Sequence, residues 1–219
     1  MKTLLLATAA AIIAAAPAFG ANLITFAQIA NTNEVFATVN GTDTQTTMTA
    51  NGAVSIGQLI TGSPPAVAFF TLDATSIDPA NTVATAVIQH YSGSFCVSTG
   101  VGCTGTNVLS GTFSDAAFGA LTGPGLVVNV NNPPDVLVLS SDVIPAGDLI
   151  APNAFGLTFT NLVPGLSVVG TTIAPFDATF AGDASANVAV IEPSSLAILG
   201  LGVIGLGFVT TQKRRTPLA

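Results

Sequence analysis

Short apolar runs separated by turn residues make up most of the chain. Examples are Val67–Leu72, Thr82–Gln89 and Ala154–Phe159, which are rich in Phe and β-branched residues. Apolar and polar positions alternate in several runs, as in a strand with one buried face. Turn-forming pairs such as Asn51-Gly52 and Pro164-Gly165 recur between the runs. This pattern predicts an all-β fold: a single antiparallel β-sandwich, of jelly-roll or immunoglobulin-like type.

Two segments of this region give more local predictions. The range 126–140 has the pattern of two strands joined by a turn at Pro133-Pro134, which predicts a β-hairpin. Asp115–Phe118 is the one segment that could form a turn of helix, since sustained 3.6-residue periodicity is otherwise lacking. No repeat of fixed period is present, which argues against a β-solenoid.

The N-terminus has the pattern of a secretory signal peptide. Lys2 precedes the apolar run Leu4–Ala16, which is too short to cross a hydrocarbon core about 30 Å thick. Small residues follow at Ala18 and Gly20, as a signal-peptidase site requires. We therefore expect signal peptidase to remove residues 1–20.

A second apolar run, Leu196–Val209, lies near the C-terminus and carries no charge. With the Ser and Thr pairs that flank it, a helix of 1.5 Å rise per residue is about 27 Å long, which is marginal for a bilayer. Three basic residues follow and would stay on the cytoplasmic side, namely Lys213, Arg214 and Arg215. The pattern predicts a membrane helix over 195–211.

Glu192 and Pro193 stand just before this helix. Together with the Gly/Leu-rich run and the basic end, they make the range 190–215 similar to the PEP-CTERM sorting signal of exported Gram-negative proteins. Ile191 stands where that family has its first Pro. The resemblance implies that exosortase, a membrane transpeptidase-like enzyme, recognises and cleaves the tail, with Glu192, Pro193 and the basic residues as its sorting determinants. A plain C-terminal membrane anchor is the alternative.

The two terminal segments hold all four basic residues of the chain, so the predicted sandwich body, 21–189, has ten acidic side chains and no Lys or Arg. Such a body repels nucleic acid and anionic lipid, which excludes both as its direct partners. It is also too apolar for intrinsic disorder. We expect an exported protein, located in the cell envelope or outside the cell, whose only membrane contact is the C-terminal helix before processing.

Cys96 and Cys103 are the only cysteines. Outside the cytoplasm such a pair oxidises, and Gly100 and Gly102 allow the tight return that a local disulfide needs. The chain-entropy model gives a stabilisation of about 2–3 kcal/mol. A metal or redox pair is the alternative, but the spacing is not CxxC and the chain has one His.

Candidate catalytic chemistry is sparse. His90-Tyr91-Ser92 is the only place where a base, a phenol and a hydroxyl are adjacent, but no GxSxG motif accompanies it, and His90 is more typical of a strand end. The body contains one Glu, Glu34, and nine scattered Asp at positions typical of turns rather than of paired catalytic carboxylates. Loop Asp and Asn residues leave a calcium site open, without any Asp-x-Asp repeat. We expect no catalytic residue, no metal site and no cofactor.

These observations predict a non-enzymatic structural or surface protein. A binding module for matrix polysaccharide or divalent cations is the second hypothesis, although the lack of Trp and the single Tyr weigh against sugar stacking. A secreted hydrolase is the third. The predicted processing partners are signal peptidase and exosortase, and extracellular polysaccharide is the candidate partner of the body.

Overall fold

A computed structural model describes residues 21–30, 32–40, 42–83, 86–119, 125–129 and 134–186. Strands make up most of these residues, which confirms the predicted all-β class. They are β1 (Ala21–Gln28), β2 (Val35–Val39), β3 (Thr46–Leu59), β4 (Ala68–Ser76), β5 (Asn81–Val83), β6 (Ala86–Gly100), β7 (Thr104–Gly119), β8 (Gly125–Asn129), β9 (Val136–Ser140), β10 (Asn153–Val163), β11 (Val168–Val169), β12 (Thr172–Ile173) and β13 (Phe176–Ala186). A short 3-10 helix spans Ala146–Asp148.

Eleven strands form one antiparallel sheet, in the order β5-β6-β4-β3-β1-β13-β10-β8-β7-β9, with β2 pairing with both β13 and β3. A further pairing joins β6 to β7. The hydrogen-bonded path from β6 through β1, β13 and β7 therefore returns to β6 and closes. Strands β11 and β12 form a separate two-stranded sheet.

At two places in this sheet, two consecutive strands pair one after the other with the same neighbouring strand. β1 and β2 both run antiparallel to β3 and to β13, so they follow one another in the same direction. β8 and β9 likewise both run antiparallel to β7. The predicted hairpin over 126–140 is therefore wrong. Pro134 lacks the N–H group that a ladder needs and lies between the end of β8 and the start of β9, and Pro133 lies outside the described residues.

The helical turn suggested for Asp115–Phe118 is also wrong, because these residues belong to β7. Ala116 and Phe118 are buried with the period of a strand. Asp115 has a φ of 60°, and the register with β6 shifts between Tyr91 and Gly93. An extra residue here forms a β-bulge, which the apolar spacing alone cannot distinguish from a helical turn.

Phe side chains from opposite parts of the closed sheet fill the core. Phe95 of β6 stacks on Phe155 of β10 with ring centroids 3.8 Å apart. Phe70 of β4 contacts Phe180 of β13 at 4.9 Å and Phe26 of β1 at 5.0 Å. These contacts join strands that are not neighbours in the sheet, so the two sides of the molecule share one core.

The terminal predictions lie outside the described residues. They are the signal segment 1–20 and the tail 190–215 with its membrane helix 195–211. Among the residues that the structure describes, no helix has the length and apolar character needed to cross a bilayer.

Candidate functional site

His90 lies inside β6 rather than at a strand end, so the expected strand-end position is wrong. Its Nδ1 atom is 2.5 Å from Oδ2 of Asp78, and its backbone N–H donates to Oδ1 of the same carboxylate at 2.8 Å. Both side chains are about one-third exposed, His90 at 36% and Asp78 at 34%. The backbone of Ile77 also donates to the His90 carbonyl at 2.9 Å. The pair therefore fastens the segment after β4 to β6.

Tyr91 points to the opposite side of the sheet, because successive side chains of a strand alternate. It is fully buried, and its hydroxyl donates to Oε1 of the buried Gln89 at 2.9 Å. Burial raises the pKa of Tyr91 well above its ordinary value; a hydrogen bond with Thr46 opposes this rise, and the charge of Asp78 adds to it. The structure thus separates His90 from Tyr91 and gives them no common site.

Ser92 shares the outer side of β6 with His90, but it pairs in register with Thr75 of β4. No His90–Ser92 hydrogen bond occurs among the contacts of the described residues. The described ranges also contain no group of three or more His, Cys, Asp or Glu side chains placed to hold a metal ion. Asp183 on β13 has a raised pKa because it is partly buried. It has no second carboxylate opposite it, since its register partners are Thr25 and Gly156.

Cys96 and Cys103 form the disulfide that the sequence predicts, with Cα atoms 5.8 Å apart. Cys96 is buried on β6, and Cys103 lies in the turn between β6 and β7. Gly102 has a φ of 66° in this turn, a conformation that favours glycine. A Cβ atom on Gly100 would lie 2.4 Å from Thr104 Oγ1. The bond folds the hairpin tip back against the outer side of β6.

Hydroxyl groups from several strands line up on this outer side. One row consists of the hydroxyls of Thr49, Ser94 and Thr112 together with the carboxylate of Asp73, which are neighbours in register across β3, β4, β6 and β7. A second row consists of Thr47, Thr75 and Ser92. We call these two rows the hydroxyl face. In the sequence, the hydroxyl face is visible only as Ser or Thr at alternate positions of separate strands. The two rows cannot be recognised until the register of the strands is known.

A groove of about 360 Å³ adjoins the hydroxyl face. Asp73, Ser94 and Thr112 line it, together with Thr71 and the Cys96–Cys103 disulfide at one side and Val138 of β9 at the other. The Oγ1 atom of Thr71 is buried and has no hydrogen-bond partner. The groove therefore combines several hydrogen-bonding groups with one carboxylate and two apolar walls.

A second depression, of about 340 Å³, lies at the ends of β3 and β6 and is lined by residues such as Leu59, Pro65 and Val143. None of the described residues that line it has a titratable side chain. Among the described residues, neither depression brings an acid, a base and a nucleophile together.

The predicted sorting residues Glu192, Pro193, Lys213, Arg214 and Arg215 lie outside the described residues. No protein-family model matches the chain, no curated protein matches its sequence, and no solved structure matches its fold.

Proposed function

We propose that the chain is an exported, acidic, non-enzymatic protein of the cell envelope or extracellular matrix, sorted through its PEP-CTERM-like tail. The observation that carries this proposal is the Cys96–Cys103 disulfide in a body without Lys or Arg. Structural disulfides persist in oxidising compartments and are rare in the cytosol. An acidic body bounded by a signal-like N-terminus and a short apolar tail fits the same destination.

The arrangement of the titratable groups supports a role without catalysis. The only His is bonded to Asp78, and the only Tyr is enclosed in the core. General acid–base chemistry needs a proton-transferring group within hydrogen-bond reach of a substrate and of a second reacting group. Neither residue faces such a partner among the described contacts, so a hydrolase ranks last of the three functions considered.

We further propose that the closed sheet is a flattened β-sandwich. Its two layers would meet through Phe95 against Phe155 and Phe70 against Phe180, contacts that link β6 to β10 and β4 to β13. Face-to-face sheets pack about 10 Å apart with interdigitating side chains, which suits a layer of Phe rings.

Intact-mass analysis of the protein purified from its host tests the sorting proposal. We expect the loss of about 20 N-terminal residues, as for a signal peptide, and of the chain beyond Pro193. A matched pair of variants, Glu192→Gln/Pro193→Ala in the motif and Pro175→Ala in the body, separates sorting from folding: only the first should keep the tail. Retention of Phe208 in the mature wild-type protein would show a membrane anchor instead of a cleaved signal.

A polysaccharide-binding module is the second candidate function, and the groove beside the hydroxyl face favours it. The cation-binding form of this hypothesis has less support, since the described carboxylates do not gather into a ligand set.

A further inference from the structure

We propose that the groove beside the hydroxyl face binds a segment of a neutral glycan chain. This inference deepens the second candidate function and rests on the proposed export for its setting. Because glycan binding is measured on purified protein, the binding proposal can fail while the sorting proposal stands. The sorting proposal can likewise fail while glycan binding is observed.

Unused hydrogen-bonding capacity is the first observation. Asp73, Ser94 and Thr112 make no side-chain hydrogen bond within the described structure, and Thr71 Oγ1 is buried without a partner. A buried hydroxyl without a partner is unfavourable, so Thr71 keeps unused hydrogen-bonding capacity beside the groove.

Other polar side chains of the surface are bonded to one another. Thr42 and Thr44 share a hydrogen bond of 2.9 Å between their hydroxyls, and Thr32 donates to Glu34 at 2.9 Å. Asp73, Ser94 and Thr112 differ from these residues because they have no side-chain partner within the described structure, whereas Ser110, which also lines the groove, is bonded to Asn107. The groove therefore presents donors and acceptors to whatever occupies it.

The spacing of the rows suits an extended ligand. Thr49, Asp73, Ser94 and Thr112 come from four neighbouring strands, so the row is about 14 Å long at about 4.8 Å between strands. The second row, at Thr47, lies two residues further along, about 7 Å away. A glycan chain that runs across the strands can therefore contact a polar side chain at each strand.

Charge decides the ligand class. Among the described residues, Asp73 is the only charged group lining the groove, and the body has no Lys or Arg to attract an anionic polymer. A single carboxylate is also a weak site for a polycation. A polyol both donates to Asp73 and exchanges hydrogen bonds with hydroxyls, so a neutral glycan fits these groups in number and kind.

The walls of the groove supply apolar contacts. Val138 is 61% exposed at one side, and the hairpin tip held by the Cys96–Cys103 bond stands at the other. These walls can contact the apolar faces of sugar rings, since Phe95, which also lines the groove, is only 3% exposed. Because the disulfide fixes the tip, the groove is formed before the ligand arrives, which reduces the ordering cost of binding.

Affinity electrophoresis of the mature protein in gels containing dextran, laminarin or amylose tests the proposal, with alginate as the anionic comparison. We expect retardation by at least one neutral glucan and none by alginate. Asp73→Asn should weaken binding about tenfold, as expected for loss of one charge-assisted hydrogen bond. Thr112→Tyr should abolish binding by filling the groove.

Matched substitutions on the far side of the sheet are the controls. Asp183→Asn on β13 and Thr158→Tyr on β10 should bind like the wild type, and far-ultraviolet circular dichroism should show that all four variants are folded. Failure of every neutral glucan to retard the wild type would overturn the proposal. So would equal retardation of the Thr112→Tyr and Thr158→Tyr variants, or binding of alginate that depends on added calcium.

Discussion

Removal of the Cys96–Cys103 disulfide should lower the stability of the body by a calculable amount. The two cysteines are separated by 7 positions. For a loop of this length, the chain-entropy model gives about 2.4 kcal/mol of stabilisation through the unfolded state. Because Cys96 is buried under the hairpin tip, loss of the tip contacts would add to this value and not reduce it.

Thermal unfolding monitored by circular dichroism measures this effect. For a domain of this size, each kcal/mol changes the midpoint by about 2–4 °C, so we expect a decrease of about 5–10 °C for Cys96→Ser/Cys103→Ser. The same decrease should follow when a thiol reductant is added to the wild type, and the reductant should leave the double variant unchanged.

An unchanged midpoint in the double variant would refute the reasoning, because it would mean that the hairpin tip contributes nothing to the cooperative unit. A reductant effect on the double variant would show that the effect on the wild type does not come from this bond.

Three further substitutions test the core and the buried phenol. Phe155→Ala, at a ring only 1% exposed, should cost about 3–5 kcal/mol in urea unfolding, whereas Phe36→Ala, at a ring 44% exposed, should cost much less. Gly111→Ala places a Cβ atom 2.6 Å from the ring of Phe95, so overpacking should cost about 1–3 kcal/mol by the same assay. Tyr91 keeps its proton in the folded state to a higher pH than in the unfolded state, because burial raises its pKa. The stability that this pKa difference gives the folded state is therefore fully present below the unfolded pKa of about 10 and is lost as the pH rises further. In urea unfolding measured over a pH series, Tyr91→Phe should remove this part of the alkaline destabilisation.

The strands could be predicted from the sequence because their signal is local. Alternation around Phe155, Leu157 and Phe159 identifies a strand with one buried face, and the structure buries these three side chains in β10. The disulfide was also predictable, since the chain has two cysteines, and the short spacing with two intervening glycines lets them meet.

The pairing of strands could not be predicted in the same way, because it depends on contacts far apart in sequence. The segment around Pro133-Pro134 has the residues of a turn, yet β8 and β9 lie one after the other beside β7. The bulge at Asp115 has the same cause: the extra residue is defined only against β6.

The groove was missed for a related reason. Asp73, Ser94 and Thr112 are ordinary polar residues of three separate strands, and only the register brings them into one row. For His90 the sequence pointed to a possible catalytic residue, and the structure gives it a different role. Its ring is bonded to Asp78, which lies in a segment without any catalytic motif.

Fractionation of host cells combined with thiol labelling tests the central claim most directly. We expect the protein in the envelope or extracellular fraction, with both cysteines resistant to labelling until a reductant is added, and without the apolar segment 196–209. A cytosolic protein with reactive Cys96 and Cys103 and both terminal segments intact would contradict it.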